Sequence, residues 1–485
     1  MPVQNESLIH WLQHASTEDA QRTALLAASG IYEYATLYAR LGRLASRYAA
    51  AGLASGEPTA IVSSHTECIA WGSYLAMYRG CPVLPLDPEH TDPAHLLKAC
   101  GITQLIADTG VKAALPSRRR YFASEWLTEP ADDPPLSPSP VAAVAVQLFV
   151  ATSGVSAKPR AVMLTGENLA ASVHASRKQI ALEPDAVWLN CLPLVHIGGF
   201  MILLRCAYAG ATVLLHEGFD ASRVWVDLIE REVTHISLVP AMLARLLDHC
   251  SDQPPPTRLR RVLIGGSALS ATLAKRARDA GWPLIVTYGM SETASHVTLC
   301  DLDGNWAPGH VGKPVPEARI EIVDETGNPT GGTGRIQIGG PMVMVGYANA
   351  EGACGIGVSN AAYMSDDLGC VGDDGQLHVA GRADDILISG GKNIHPQDVE
   401  EKLLTCPGVQ DVAVTARHDD IWGDVLVALF VGSAAANDIN NWCSHNMASS
   451  LRPREIVKVS SLPRNRLGKL KRQALARLIP AERAN

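Results

Sequence analysis

The sequence is poor in aromatic residues, which make up 5% of the chain, so its core must be built largely from Ala, Leu, Val and Ile. It also lacks any C-x-x-C pair, and its 11 scattered cysteines fit reduced thiols rather than a disulfide framework or a zinc site. No apolar run reaches the roughly 18 residues that a membrane span needs, and no signal-peptide pattern opens the chain. These absences predict a cytoplasmic protein without a membrane span.

Charge is distributed unevenly along the chain. The formal net charge of −8 argues against general nucleic-acid binding, which requires a basic surface. Residues 452–477 nevertheless hold nine Lys or Arg and one acid, Glu455. A basic end on an acidic protein suggests an anionic ligand or partner, although a solvated helix face fits equally well.

Length and element pattern both predict more than one domain. The 485 residues are too many for one compact core. Strand and helix patterns alternate as far as residues 283–288, which predicts an α/β fold with helix-flanked parallel or mixed sheets. Residues 319–338 alternate every two residues and predict an antiparallel sheet or a small β barrel. The final stretch of mixed short elements predicts a small α+β domain.

Two polar loops at strand ends are candidates for nucleotide chemistry. Residues 151–160 (ATSGVSAKPR) follow a buried strand and precede a helix pattern, and their hydroxyls, amides and two cations suit phosphate. The loop is not a GxxxxGK[ST] P-loop. Residues 287–293 (TYGMSET) offer a tyrosine face for a base and a glutamate for Mg²⁺. Each segment also fits a plain turn.

Two further segments, nearer the C-terminus, carry charge. Asp367, within residues 365–368 (SDDL), and the segment 381–384 (GRAD) suit hydrogen bonds to ribose hydroxyls, or are solvated turn acids. Lys469, in residues 463–470 (PRNRLGKL), is able to meet two anionic oxygens, or is a surface lysine. Each of these four segments is a modest signal by itself. Their order and spacing along the chain are what indicate a function.

In this order the motifs resemble those of the adenylate-forming superfamily, which contains acyl- and aryl-CoA synthetases, peptide-synthetase adenylation domains and beetle luciferases. The resemblance runs from about residue 24 to residue 475. It includes segments 193–199 (PLVHIGG), 265–269 (GGSAL), 346–347 (GY), 389–396 (SGGKNIHP) and 399–400 (VE). It implies a large N-terminal domain, residues 1–381, and a small mobile C-terminal lid, residues 382–485, with a hinge at residues 382–385.

The resemblance also implies roles for individual residues. Glu292 matches the Mg²⁺ ligand, Thr293 the α-phosphate contact, Asp367 the ribose ligand, Asp384 the hinge and Lys469 the lid lysine that bridges carboxylate and α-phosphate. Arg382 matches the residue that lies both at the ribose site and at the junction of the two domains. The implied nucleotide-binding set is completed by Thr152, Ser153, Gly154, Ser156, Lys158, Arg160, Gly265, Gly266, Ser267, Tyr288, Gly289, Met290 and Ser291. Gly390, Gly391 and Lys392 match the loop that faces the incoming thiol after the lid turns.

The chain departs from the family at the phosphate loop. Where the usual pattern is TSGTTGxPKG, Val155 replaces a hydroxyl residue, Ala157 and Arg160 replace Gly and Lys, and Ala161 replaces Gly. Asp366 stands where Gly is common. These changes bear on the strength of ATP binding, and they are the only support for the alternative of a non-catalytic binding protein.

Within the superfamily the chain most resembles o-succinylbenzoate–CoA ligases, in segments 192–205, 234–247 and 287–295, and a relative that activates another aryl or acyl acid fits at least as well. His296 departs from the Gln that those ligases often carry. The resemblance implies ATP, Mg²⁺, a carboxylic acid and coenzyme A, with a carrier-protein phosphopantetheine as the alternative acceptor, and it leaves a homodimer open. His196 and Gly198 are expected at the acyl pocket. Arg205 is expected either to bind a second substrate carboxylate, to cap a helix or to pair with an acid.

Overall fold

A computed structural model describes residues 7–88, 93–111, 120–129, 132–152, 159–304, 306–349, 355–389, 392–419, 423–464 and 470–480. Its strands form three sheets, of fourteen, seven and five strands. The helices are α1 Leu8–Glu18, α2 Tyr34–Ala50, α3 Thr66–Tyr78, α4 Pro93–Ala99, α5 Gly166–Ile180, α6 Ile197–Ala209, α7 Ala221–Glu230, α8 Pro240–His249, α9 Ala271–Asp279, α10 Pro396–Leu403 and α11 Ala436–Asn446.

The seven-stranded sheet has a parallel centre. Its strands are β3 Thr59–Val62, β4 Val83–Leu86, β5 Gln104–Ala107, β6 Arg120–Ala123, β7 Val146–Thr152, β8 Arg160–Thr165 and β18 Gly346–Tyr347. They lie in the order β18-β8-β7-β4-β3-β5-β6, with β8 and β18 antiparallel to their neighbours. Strands β3, β4 and β5 are buried at every position. Apolar runs of this kind are typical of parallel strands covered on both faces.

The largest sheet joins a parallel half to an antiparallel arm. Its parallel strands are β1 Thr23–Ala27, β9 Val187–Asn190, β10 Thr212–Leu215, β11 His235–Leu238, β12 Arg261–Ile264 and β13 Leu284–Met290. Strand β2 Gly30–Glu33 pairs antiparallel with β1. The arm consists of β14 Ser295–Asp301, β15 His310–Pro314, β16 Arg319–Val323, β17 Gly334–Gly339, β19 Val358–Ser359, β20 Ala362–Val371 and β21 Leu377–Arg382.

The antiparallel arm is one of the two arrangements predicted for residues 319–338, and the small barrel is not confirmed. The described strands of this sheet run in one open order, β16-β17-β20-β21-β15-β14-β13-β12-β11-β9-β10-β1-β2, with β19 beside β20. The arm therefore continues the parallel half through β13 and β14. Tyr288 of β13 and Asp367 of β20 are thereby carried by one sheet.

Residues 387–480 have a sheet and apolar clusters of their own. The strands are β22 Leu387–Ser389, β23 Lys392–Ile394, β24 Val409–Asp419, β25 Gly423–Gly432 and β26 Glu455–Lys458, in the order β23-β22-β25-β24 with β26 parallel to β25. One cluster, from Ile394 to Met447, packs α10 and α11 on this sheet, and a smaller cluster includes Leu462 and Leu475. A separate core is what an independent small domain requires.

No helix in the described ranges is both long and apolar enough to cross a membrane.

Candidate active site

Tyr288 of β13 contacts Asp367 of β20, which pairs with Arg382 of the neighbouring strand β21. The Tyr288 hydroxyl donates to Asp367 Oδ2 at 2.8 Å, and Arg382 Nη1 lies 4.0 Å from Asp367 Oδ1. Burial, followed by the charge of Asp367, raises the pKa of Tyr288 well above its ordinary value, so this phenol stays protonated. The Asp367 carboxylate is thus held in a fixed orientation by the tyrosine at the end of β13.

Arg382 gathers three carboxylates. Its Nε and Nη2 donate to the two oxygens of Asp384 at 3.0 and 3.2 Å, and Nη2 lies 3.4 Å from Asp366 Oδ2. Arg335 Nη2 binds the other Asp366 oxygen at 2.8 Å. Although burial opposes the charge, the bond to Asp384 and the neighbouring acids raise the pKa of Arg382 above its ordinary value. Asp366, the residue that departs from the family's Gly, therefore joins this network.

Glu292 forms a second polar group in the short 3₁₀ turn of residues 291–293. Its side chain is buried, and Oε1 accepts a hydrogen bond from the Tyr347 hydroxyl at 2.6 Å. The Arg160 guanidinium carbon lies 4.0 Å from the centre of the Tyr347 ring, a cation–π geometry. Burial and Glu292 both raise the pKa of Tyr347, so it remains a donor to the carboxylate. A buried carboxylate held by one tyrosine hydroxyl is suited to hold a cation that accompanies phosphate.

Tyr363 connects the two groups. Its hydroxyl lies 3.4 Å from that of Tyr347, and on β20 it precedes Asp366 and Asp367 by three and four residues. Burial raises the pKa of Tyr363 to about 12, and Glu292 and Asp366 also act on it. The hydroxyl groups that run from Glu292 through Tyr347 to Tyr363 thus reach β20, the strand that carries the predicted ribose residue Asp367.

Thr293 and Gly289 fix the turn that presents Glu292. The Thr293 side chain is fully buried, and its hydroxyl is bonded to the Met290 and Ser295 carbonyls at 3.1 and 2.7 Å and accepts from the Met290 N–H at 3.2 Å. A Cβ on Gly289 would lie 2.1 Å from the Ser295 carbonyl oxygen, so glycine is required there. Because the Thr293 hydroxyl is engaged inside the turn, its contact with an α-phosphate stays a prediction.

The predicted phosphate loop connects two antiparallel strands. Thr152 ends β7 and pairs with Arg160, the first residue of β8, and its hydroxyl donates to the Arg160 carbonyl at 3.3 Å. Strand β8 thus separates the loop from helix α5, so the helix pattern does not follow the loop directly. A phosphate here would not meet a helix N-terminus. Ser153, Gly154, Ser156 and Lys158 lie outside the described residues.

The Gly265-Gly266-Ser267 segment follows β12, next to β13 in the sheet. A Cβ on Gly265 would lie 2.5 Å from the Thr287 hydroxyl, so glycine lets the two chain segments approach closely. Gly266 and Ser267 are exposed beside the end of β13, where Ser291 and Met290 are half-buried. This exposed edge next to Tyr288 is where the resemblance expects the base.

His196, Gly198 and Arg205 all belong to the α6 region. His196 is the half-buried residue that precedes the helix, and Gly198 lies in its first turn. Arg205, two turns further on, is only 4% exposed, and its Nε contacts Ser176 Oγ of α5 at 3.3 Å. Burial lowers the pKa of Arg205 to about 9. Of the alternatives for Arg205, pairing with an acid is not seen among the described residues.

The predicted lid residues are only partly described. Lys469, Gly390 and Gly391 lie outside the described residues, as does the side chain of Lys392, whose backbone begins β23. Asp384 lies at the predicted hinge in the short 3₁₀ turn Ala383–Asp385. The roles assigned to these residues therefore remain predictions.

Three site residues were not given roles by sequence reasoning: Tyr347, Tyr363 and Arg335. Tyr347 had a signal, because residues 346–347 are one of the family segments. Tyr363 and Arg335 had none, since their contacts depend on how β17, β20 and β21 pair.

The chain matches two family models, one described as AMP-binding enzyme over residues 12–348 and one as AMP-binding enzyme C-terminal domain over residues 398–469. The chain belongs to the AMP-binding enzyme family. The resemblance to adenylate-forming enzymes is thereby confirmed, and ATP-dependent acid–CoA ligation is the activity of its curated and structural relatives.

Two relatives are similar over most of the chain. The 2-succinylbenzoate–CoA ligase of Bacillus thuringiensis subsp. konkukian is 35% identical over 337 residues, 68% of this chain and 70% of the relative. The o-succinylbenzoate CoA synthetase of Bacillus subtilis, in complex with its acyl-adenylate intermediate, has a TM-score of 0.87 and 28% identity over 98% of both chains. The same enzyme with ATP and magnesium ion gives a TM-score of 0.86 and 28% identity, over 96% of this chain and 99% of that one.

Proposed function

We propose that this AMP-binding enzyme activates 2-succinylbenzoate with ATP, releases pyrophosphate, and then transfers the acyl group to coenzyme A. The observation that carries the proposal is the presence of two polar groups, Glu292–Tyr347–Tyr363 and Tyr288–Asp367–Arg382, that each include a residue of β20. Among the proteins that share the fold along nearly all of this chain, the o-succinylbenzoate CoA synthetase of Bacillus subtilis is 28% identical, and a 2-succinylbenzoate–CoA ligase is 35% identical over 68% of this chain, which supports the choice of acid.

In this proposal the nucleotide lies along the Tyr288 end of the site. Asp367, oriented by Tyr288 and Arg382, accepts hydrogen bonds from the ribose hydroxyls, and Gly265, Gly266 and Ser267 border the base with Tyr288, Gly289 and Met290. Thr152, Arg160 and the loop between them face the β- and γ-phosphates. A guanidinium already held over Tyr347 loses little side-chain entropy on meeting phosphate.

Glu292 fits the Mg²⁺ of Mg-ATP. One carboxylate oxygen is occupied by Tyr347, which leaves the other for a cation. Among the described residues no group of three His, Cys, Asp or Glu is arranged to hold a metal alone, which fits an ion that arrives with the phosphates. Bound there, the ion supplies positive charge that reduces repulsion between the attacking carboxylate and the phosphate.

The first step needs no side-chain nucleophile. A substrate carboxylate oxygen attacks the α-phosphorus, the bond to pyrophosphate breaks, and an acyl-adenylate forms. Lys469 is assigned to bring the two anions together, a positioning effect that is able to contribute several kcal/mol, up to about 7–11 in well-oriented systems. The lid, residues 382–485, then turns about Asp384 and brings residues 390–392 towards the thiol, whose sulfur displaces AMP.

The acid lies between α6 and the turn of residues 291–295. His196 and Gly198 border its entrance, and Arg205 lies deeper along the same helix. Coenzyme A is the proposed thiol, and the basic segment 452–477 would meet its phosphates. Every cysteine in the described ranges is free, which supports a reducing, cytoplasmic location.

Pyrophosphate release tests the proposal. The protein, ATP and Mg²⁺ are incubated with 2-succinylbenzoate, other aryl acids and fatty acids, with and without coenzyme A. Release with 2-succinylbenzoate that becomes multiple-turnover only with coenzyme A supports the proposal. Release stimulated instead by a phosphopantetheinylated carrier protein would move the acceptor to that class. If the folded protein releases no pyrophosphate with any of the acids, the result would favour a non-catalytic binding protein.

A further inference from the structure

Helices α1, α5 and α6 border an open cavity of about 440 Å³. Its lining comes from α1, from Arg177 in the last turn of α5, and from the end of α6 with Gly210. Gly210 ends α6 in the left-handed region, at φ 66°, and turns the chain towards β10. The volume lies within the range of about 300–1,000 Å³ that is typical of small-molecule sites.

The cavity and the active site lie at opposite ends of the parallel strands of the largest sheet. Gly210 lies just before Thr212, the first residue of β10, whereas Tyr288 lies near the end of β13. Strands β10, β9, β11, β12 and β13 are successive neighbours and all parallel, so their beginnings share one end of the sheet. A ligand in the cavity is therefore separated from the acid-activating site by the length of a strand, roughly 13 Å for four residues.

Two aromatic rings form the apolar wall of the cavity. Trp11 of α1 and Tyr208 of α6 contact each other edge to face, with ring centroids 5.3 Å apart and planes inclined at 74°. Trp11 is buried by the packing of α1 on α6, which fixes its ring, and Tyr208 is half-buried. Fixed rings of this kind offer a flat contact surface to a planar aromatic ligand.

Arg177 gives the cavity its positive charge. Its guanidinium carbon lies 5.5 Å from the centre of the Tyr208 ring, a cation–π geometry that holds it at the wall. Asp19 is the only acid in the described lining, and it is paired with Arg22 at 2.7 Å, whereas Arg177 forms no ion pair with any described residue. His14 adds an imidazole at the exposed rim. The lining therefore carries one positive charge that no acid of the described residues compensates.

We propose that this cavity binds a planar aromatic carboxylate, at a site distinct from that of acid activation. The ring of the ligand packs on Trp11 and Tyr208, and its carboxylate meets the Arg177 guanidinium. An inorganic anion would use the charge but leave the aromatic wall bare, and a neutral aromatic molecule would leave the charge uncompensated. The inference does not depend on the proposed function, because binding here requires neither ATP nor turnover.

Calorimetric titration with 1-naphthoate, in the absence of ATP, tests the site. Arg177→Gln is expected to raise the Kd about tenfold or more, which is the loss of one hydrogen bond between charged groups. The neutral 1-naphthamide is expected to bind the wild-type protein about tenfold more weakly than 1-naphthoate does, and to bind Arg177→Gln and wild type equally. Lys178→Gln is the matched control, because it removes an exposed positive charge from the next residue of α5, which does not line the cavity. Its Kd for 1-naphthoate is expected to stay at the wild-type value.

His196→Ala separates the cavity from the acyl pocket, because His196 borders the proposed entrance for the acid. Its Kd for 1-naphthoate is expected to match that of the wild type. Weaker binding in His196→Ala but not in Arg177→Gln would place the probe in the acyl pocket and overturn the inference. Equal affinity of the wild-type protein for the carboxylate and the amide, or no binding of 1-naphthoate, would also overturn it. None of these results depends on pyrophosphate release, so the proposed function fails or stands separately.

Discussion

Asp384 and Asp385 are adjacent in the chain but bind arginines that belong to different parts of the fold. Asp384 accepts two hydrogen bonds from Arg382 at the end of β21, whereas Asp385 Oδ2 lies 3.1 Å from Nε of Arg472, in the C-terminal part. Arg472 also binds both oxygens of Glu400 on α10. A change of backbone direction between the two acids would therefore move one set of ion pairs relative to the other. This is the geometry that a hinge requires.

Asp384→Pro is expected to block transfer to coenzyme A while sparing adenylation. Proline fixes φ near −65° and so restricts rotation at this residue. Adenylation is measured as pyrophosphate release in a single turnover, and transfer as thioester formation from a supplied acyl-adenylate. Asp384→Ala is the matched control, since it removes the Arg382 ion pair but leaves the backbone free. Normal overall turnover in the proline variant would count against rotation at Asp384.

Tyr347→Phe is expected to raise the Mg²⁺ concentration that gives half-maximal activity by about tenfold, the value of one hydrogen bond to a charged group. The substitution removes the hydroxyl that holds Glu292 Oε1 and keeps the ring beneath Arg160. Titration of activity with Mg²⁺ at fixed ATP measures the effect. Tyr363→Phe, which removes the neighbouring hydroxyl without touching Glu292, is the control. If both variants shift the Mg²⁺ dependence equally, Tyr347 has no special role in orienting the carboxylate.

The sequence predicted the parallel strands well because strands that are buried on both faces appear in it as continuous apolar runs. The patterns at residues 58–62, 83–86 and 186–191 predict strands, and β3, β4 and β9 lie within them. Helix α9 was missed because it has no apolar stripe: only Ala274 and Ala277 are buried. The strand pattern predicted for residues 235–239 leads into Pro240, and helix α8, which begins at this proline, was not predicted.

The site was predictable as a set of residue types but not as a network. Tyr288 and Asp367 were both identified, yet their hydrogen bond joins residues 79 positions apart, and it depends on the order of strands in the antiparallel arm. In the sequence, Asp366 is only a departure from the family's Gly. The structure shows that its carboxylate is bonded to Arg335 and Arg382. A single sequence does not show which strands pair with each other over a long range. The two-residue alternation shows which side chains of a strand face the core, but it does not show which strand lies next to it.

Lys469→Ala is expected to reduce adenylation by about 10²–10³-fold, as removal of one charge-stabilising donor often does. It should leave thioester formation from a supplied acyl-adenylate nearly unchanged, because the lid has turned away by then. Single-turnover assays of the two half-reactions separate these effects. Lys471→Ala removes a charge of the same kind two residues away and serves as the control. Equal losses in both half-reactions would contradict the bridging role.

Glu401 on α10 gives the C-terminal part a pH-dependent stability. Burial, with Asp398 and Glu400 nearby, raises the pKa of Glu401 from 4.5 to about 7. The folded state therefore binds a proton that the unfolded state releases, and this contribution to stability is complete below pH 4.5 and is lost as the pH rises through 7. Glu401→Gln should raise the free energy of unfolding by about 1 kcal/mol at pH 8, after allowance for solvent screening, and by little at pH 5.

Denaturant unfolding of the full chain at pH 5 and pH 8, followed by a probe in residues 392–480, measures this difference. The exposed Glu321→Gln, on β16, changes the net charge by the same amount and controls for it. Ionisation of the half-buried Glu401 carboxylate is the only source of the expected pH dependence in this comparison. Stabilisation of the Glu401 variant by the same amount at both pH values would instead mean that helix propensity or lost repulsion at all pH values is responsible, and that Glu401 is ionised throughout.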